Sequence, residues 1–324
     1  MMQFRTPVAP LRHQGIVDHR TPVVTLGSCF ADAVARRLSD RLFAVTANPF
    51  GTLYNPASIA AAARRISGGT EFTPDELFCH ERRWRSWLCH TLLSFEGTAE
   101  EAATQFNRHL AKASEALRQS RVAIVTLGTA WVFALRSTGE TVANCHKLSS
   151  ELFERRMLNV DESARLITEA CESMRSASPG LTVILSVSPI RHAADGHHGN
   201  QLSKSTLMLA AEEAIARLDR PDAPAIYFPA FEAVIDDLRD YRFYDTDMRH
   251  PTSQAADYVF GLFAESFFTS DTASLSERCL RLTRRLAHRP LTGQPDAAFT
   301  AATAAMAREL AESHPYLRNV IPNI

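Results

Sequence analysis

The sequence predicts an α/β protein built on a five-stranded, mainly parallel sheet covered on both faces by helices. Three observations carry this expectation. Short apolar, β-branched runs recur five times along the chain. Amphipathic helical stretches separate them. The first and third runs each end in a glycine, Gly27 and Gly128. Strand–helix alternation of this kind gives a parallel sheet buried on both sides.

Residues 1–21 read as an irregular arm with Pro7 and Pro10. Residues 23–26 are the first strand, and Gly27 breaks it. Residues 31–41 then follow helical spacing, with Val34 and Leu38 on one face. Residues 43–46 are a short second strand, and Asn48-Pro-Phe-Gly51 is a turn. Asn55-Pro-Ala-Ser58 starts a helix that runs to Ile66. Residues 78–95 read as a hairpin outside the main sheet. Residues 99–119 form a long amphipathic helix, and residues 122–127 the third strand. Residues 131–147 read as a second hairpin. A helix over 161–176 leads to the fourth strand, residues 181–187. A polar, His-rich loop over 192–200 follows, and then a helix over 203–219. Residues 225–228 are the fifth strand. Residues 231–238 are helical, 241–252 a loop and 253–268 a helix. From Leu275 onward two helical runs flank a break at 290–295. Residues 1–270 are expected to form one domain with its N-terminal arm, and 271–324 a helical extension packed on it.

Net charge is −1 with no basic stripe, so nucleic acid is not an expected partner. No run approaches 18 apolar residues, so no membrane span is expected. Residues 1–19 lack an apolar export signal, which predicts a cytoplasmic protein. The six cysteines show no framework spacing and read as reduced thiols.

Right-handed crossovers put the C-terminal ends of parallel strands on one edge, where ligands bind. Ser28, Cys29, Asn48, Gly51, Gly128, Thr129, Arg191, His192, Asp247 and His250 all follow strands. They are therefore expected to converge. A strand, a glycine turn and a helix N-terminus put Ser28 and Cys29 at a corner with free backbone amides and a positive dipole end. Either side chain can be a nucleophile there, or Ser28 merely caps the helix. His250 is the candidate base, and Asp247, three residues earlier, can fix its tautomer. Asn144 and His146 on the second hairpin, with Arg191 and His192, are candidate substrate contacts. Trp84, Trp87 and Trp131 can floor a pocket or pack hairpins. Cys-His occurs three times without metal-ligand spacing, so no metal is expected. Gly-x-Gly-x-x-Gly and Walker patterns are absent, so no cofactor is expected either.

Gly27-Ser-Cys-Phe-Ala31, Asn48-Pro-Phe-Gly51, Ser188-Pro-Ile-Arg-His192 and Asp247-Met-Arg-His-Pro251 together resemble the GSCFA family, grouped with the SGNH/GDSL hydrolases. The resemblance covers roughly residues 20–265. It implies a three-layer αβα sandwich of flavodoxin-like/SGNH type. It also implies an esterase-type or O-acyltransferase site acting on a small-molecule or carbohydrate-type ester. Aligning Gly27 on the superfamily's first glycine puts Cys29 on the nucleophile. A shift by one selects Ser28 but puts Leu26 where the turn needs glycine. Gly51 matches a glycine whose amide serves the oxyanion hole. Ala130 stands where the superfamily's Gly-x-Asn block has its donor asparagine. Asn48, Asn55 or Asn144 are the available substitutes, and a degenerate binding module is the reading if none serves. A thiolate at this helix N-terminus beside His250 is expected to have a lowered pKa.

Overall fold

The computed structural model describes residues 5–290 and 296–322. Of the predicted break at 290–295, residues 291–295 lie outside the described residues.

The central sheet is fully parallel. It contains β1 (Val23–Gly27), β2 (Val45–Ala47), β5 (Val122–Leu127), β9 (Thr182–Val187) and β10 (Ala225–Tyr227), in the order β10-β9-β5-β1-β2. Successive side chains of a strand point to opposite faces. Val24, Leu26, Val125, Leu127, Val183 and Leu185 therefore join one core. Val23, Val122, Ile124 and Ile184 join the other. This explains why the strands read as continuous apolar runs rather than alternating ones. Helices α2 (Pro56–Gly68), α3 (Ala99–Gln119), α4 (Val160–Ala177) and α5 (Gly196–Leu218) cover the first face. Helices α1 (Cys29–Ser39) and α7 (Ser253–Phe267) cover the second. The αβα sandwich expected from the sequence is thus the fold.

Two small antiparallel units lie outside the sheet. One is the predicted first hairpin, β3 (Leu77–His80) with β4 (Arg83–Ser86). The other differs from expectation. Strand β6 (Trp131–Leu135) pairs with β7 (Thr141–Val142), and also with β8 (Phe153–Met157), which the sequence reading lacks. Three charged residues in Phe-Glu-Arg-Arg-Met hide that strand, because its central side chains face outward.

Two other segments depart from the reading, and a third forms a separate cluster. Residues 192–200 are not a loop: a 3₁₀ turn (Ala193–Asp195) leads into α5, which starts at Gly196. Gly196 and Gly199 are poor helix formers, and they hide this start. Residues 231–238 form one α turn, α6 (Ala230–Glu232), followed by a π-helical turn (Ala233–Asp237). The C-terminal helices α8 (Ser270–Ala287) and α9 (Ala297–Ser313) pack around a separate apolar cluster of Leu275, Cys279, Leu282 and Leu310. Leu42, which follows α1, joins that cluster. No helix among the described residues is long and apolar enough to cross a membrane.

Candidate active site

The site is built on the corner between β1 and α1. Gly27 has φ 140°, a backbone that side chains rarely adopt, and a Cβ there would overlap the Thr126 carbonyl. The chain can turn this tightly against β5 only with glycine. Asn48 locks the corner from the neighbouring strand. Its Oδ1 accepts from the Gly27 amide at 2.8 Å, and its Nδ2 donates to Asp32 at 2.7 Å. Both ends of the Asn48 side chain are engaged, so it holds the turn rather than facing a substrate.

Ser28 is 2% exposed, and its Oγ accepts from the Phe30 amide at 3.3 Å. It is the N-cap of α1. Cys29 faces a cleft of about 450 Å³, and its backbone amide has no acceptor among the described residues. Its Sγ lies 4.0 Å from His250 Nε2. His250 Nδ1 in turn lies 2.5 Å from Asp247 Oδ2. Asp247 Oδ1 accepts from the amides of Arg249 and His250, both at 2.9 Å. Those amides and the imidazole hold the Asp247 carboxyl well below the usual carboxylate range. A tight loop presents this pair: Asp245 N donates to His250 O, and Tyr244 bridges to Pro251.

The predicted lowering of the Cys29 pKa is not what the site imposes. Burial pushes the thiol up, and the negative charge of Asp32 adds to it. The amides of Cys29 and Phe30 and the charge of Lys204 oppose this without overcoming it. A raised folded pKa leaves the thiolate scarce until the pH passes the value of a free cysteine, 9.0. Site-resolved alkylation of Cys29 by iodoacetamide is therefore expected to keep accelerating through pH 9.0. A plateau near neutral pH would contradict this.

Of the other predicted residues, Thr129, Asn144, Arg191 and His192 line the cleft. Thr129 Oγ1 shares a hydrogen bond with Ser203 Oγ at 3.1 Å. Asn144 Oδ1 accepts from His146 N at 2.7 Å, and its NH₂ group has no hydrogen-bond partner among the described residues. Burial, then the Lys204 charge, pull His192 down to about 4, so its ring is neutral. It stands edge-on to Tyr54.

Four assignments need correction. The Gly51 amide donates to Asn48 O at 2.7 Å, so it is spent inside its own turn. The Gly128 amide donates to Tyr54 O at 2.8 Å and is equally unavailable. His146 is 1% exposed and is packed against Phe78 and Trp87, with Nε2 3.1 Å from Ser86 O. It is a buried hairpin residue outside the cleft. Asn48 has the scaffolding position described above.

Two contributors were not singled out from sequence, and a third, Asn55, was only one of several alternatives. Asn55 caps α2 through Oδ1, which accepts from Ser58 N at 2.8 Å, and its NH₂ group has no partner among the described residues. It was only one of three substitutes for the missing asparagine, and its Asn-Pro helix start was the available signal. Arg155 of β8 lies over the Trp131 ring at 4.0 Å and pairs with Asp195, forming the far wall. Lys204 of α5 is fully buried beneath the cleft floor. Its Nζ donates to Gly128 O and Ser188 O, each at 2.6 Å. A lysine at one end of the buried stripe of α5 (Leu207, Ala210, Ala211, Ala214 and Leu218) gave no sequence signal for this.

Two solved structures are similar to this chain. A carbohydrate esterase family 3 structure from Talaromyces cellulolyticus is 11% identical with TM-score 0.38, covering 79% of this chain and 98% of its own. A mutant acetyl esterase with acetate ion is 10% identical with TM-score 0.38, covering 82% of this chain and 100% of its own. No curated protein matches the chain. The model of the GSCFA family matches residues 22–263, most of the length, and the chain therefore belongs to the GSCFA family.

Proposed function

We propose that this protein is an SGNH-type acyl hydrolase, an esterase or thioesterase with Cys29 as nucleophile, His250 as general base and Asp247 as its orienting partner. The observation that carries the reading is the file of Sγ, imidazole and carboxylate, 4.0 Å and 2.5 Å apart, at a helix N-terminus on the C-terminal edge of the sheet. The neutral thiol needs a base, and His250 Nε2 takes its proton as Sγ attacks the ester carbonyl. Asp247 stabilises the imidazolium that results. The free amide of Cys29 and the NH₂ group of Asn55 receive the oxyanion. Collapse expels the alcohol or thiol, which takes the proton back from His250 and leaves an acyl thioester on Cys29. Water, activated by His250, then releases the acid.

The substrate is a small-molecule or carbohydrate-type ester. The Trp131 and Phe133 wall supports such a ligand, since flat apolar groups pack on aromatic faces. Transfer to an acceptor hydroxyl is the second reading. It is favoured by a further hollow of about 300 Å³ that adjoins the first and leaves room for an acceptor.

The test is intact-mass analysis after brief exposure to p-nitrophenyl acetate. One acetyl group on Cys29, lost with time, is the expected result. An added acceptor alcohol that speeds its loss selects transfer. Persistent absence of an adduct, with no ester turnover, overturns the reading in favour of a binding module.

A further inference from the structure

The cleft has a second compartment beside the one that holds Cys29. Its walls share Arg191, His192, Ala193 and Arg249 with the first, so one ligand can occupy both. We propose that this compartment is a phosphate-binding subsite formed by Arg191, Arg249, Asn200 and the first turn of α5. The substrate then carries a phosphate group there. The proposal rests on the acyl-transfer reading for the location of the ester.

Asn200 is the decisive residue. It is 1% exposed, lines this compartment, and has no partner for its Nδ2. Its Oδ1 accepts from Arg191 Nη1 at 3.3 Å. Arginine only donates, so the atom it touches must be the oxygen, and the NH₂ is the orphan. A buried donor without an acceptor is costly unless a ligand supplies one.

The other groups are donors too. The Arg249 guanidinium has no hydrogen bond or ion pair among the described residues. The N-terminus of the 23-residue α5 has no side-chain cap hydrogen bond; its Gly196 amide is taken by Ala193 O and Asp195 stands at the N-cap, which leaves the amides of the residues just after Gly196. Two carboxylates are near, Asp247 in this compartment and Asp195 at the N-cap of α5. Asp247 is already saturated by His250 and two amides. Asp195 pairs with Arg155 through Oδ1 and lines only the first compartment, while its buried Oδ2 has no partner among the described residues and stands at the N-cap of α5. Donors arriving from two arginines, a carboxamide and a helix end suit a tetrahedral anion with three free oxygens. A planar carboxylate would be satisfied by one guanidinium.

Calorimetric titration of the full-length protein with inorganic phosphate tests this, with succinate as the carboxylate control. Wild type and Cys29→Ala are expected to bind phosphate equally. Arg249→Gln should weaken binding about fivefold and Arg191→Gln/Arg249→Gln about twentyfold or more, as charge-assisted bonds are removed. Arg249 is exposed, so the single variant folds and keeps the test decisive. Succinate should bind far more weakly than phosphate. Three results would overturn the subsite: no phosphate binding, unchanged binding in the double variant, or succinate binding as tightly as phosphate. The acyl reading is judged separately, because its failure appears as ester turnover that survives Cys29→Ala while phosphate binding is untouched.

Discussion

Cys29→Ala is expected to lower kcat/KM for a simple ester by about a thousandfold or more, while Ser28→Ala keeps most of the activity. The two adjacent positions differ in what holds them. Ser28 is buried as a helix cap, and its loss should cost about 1 kcal/mol of stability, visible as a lower Tm. Cys29 faces the cleft with His250 at 4.0 Å. His250→Ala should fall by about a hundred- to ten-thousandfold, the usual contribution of a positioned general base. Asp247→Asn keeps the shape of the loop but loses the anion that orients Nδ1, and should fall with it. Steady-state kinetics on these four variants, with melting curves as a folding control, decide the matter. Activity lost in Ser28→Ala and kept in Cys29→Ala would reverse the register.

Lys204→Met is expected to destabilise the fold by about 2–4 kcal/mol near neutral pH, because two buried carbonyls lose their donor. Those carbonyls belong to Gly128 and Ser188, directly after β5 and β9. The ammonium therefore ties together the two loops that floor the cleft. Burial pulls the Lys204 pKa down to about 7 from 10.5, with Arg191 adding to the effect and Cys29 and Asp195 opposing it. The two carbonyl acceptors at 2.6 Å still favour the charged form locally. The sign of the pH dependence follows. Between about 7 and 10.5 the unfolded chain holds a proton that the folded chain has shed. Raising pH through that window penalises the unfolded state, so this group's contribution to stability rises with pH. The difference in Tm between wild type and Lys204→Met should change across the same window. A parallel pair of curves, or a variant as stable as wild type, would show that Lys204 is not the tie.

Much of the site was legible before any coordinates. Five apolar runs and the helices between them gave the sheet, since strands buried on both faces need apolar residues at every position. The edge that holds Cys29 followed from right-handed crossovers, because all strand ends then share it; His250 reaches it only from a loop well beyond the last strand. Asp247 and His250 were readable as a pair from their spacing. Strand β8 and the first turn of α5 were not readable. Their local propensities are poor, and β8 forms by pairing with β6, with Arg155 over Trp131.

By itself the sequence determined the layer architecture and the corner at Gly27, because periodicity and chain direction fix both. Tertiary structure alone decided how each polar group is spent. The Gly51 amide turned out to be used within its own turn, and the Asn48 side chain was locked to Gly27 and Asp32. The NH₂ groups of Asn55 and Asn200 were left open instead. Burial, not the helix dipole, decided the protonation of Cys29. Hydrogen-bond saturation and desolvation depend on every neighbour at once, and no local pattern of residues encodes them.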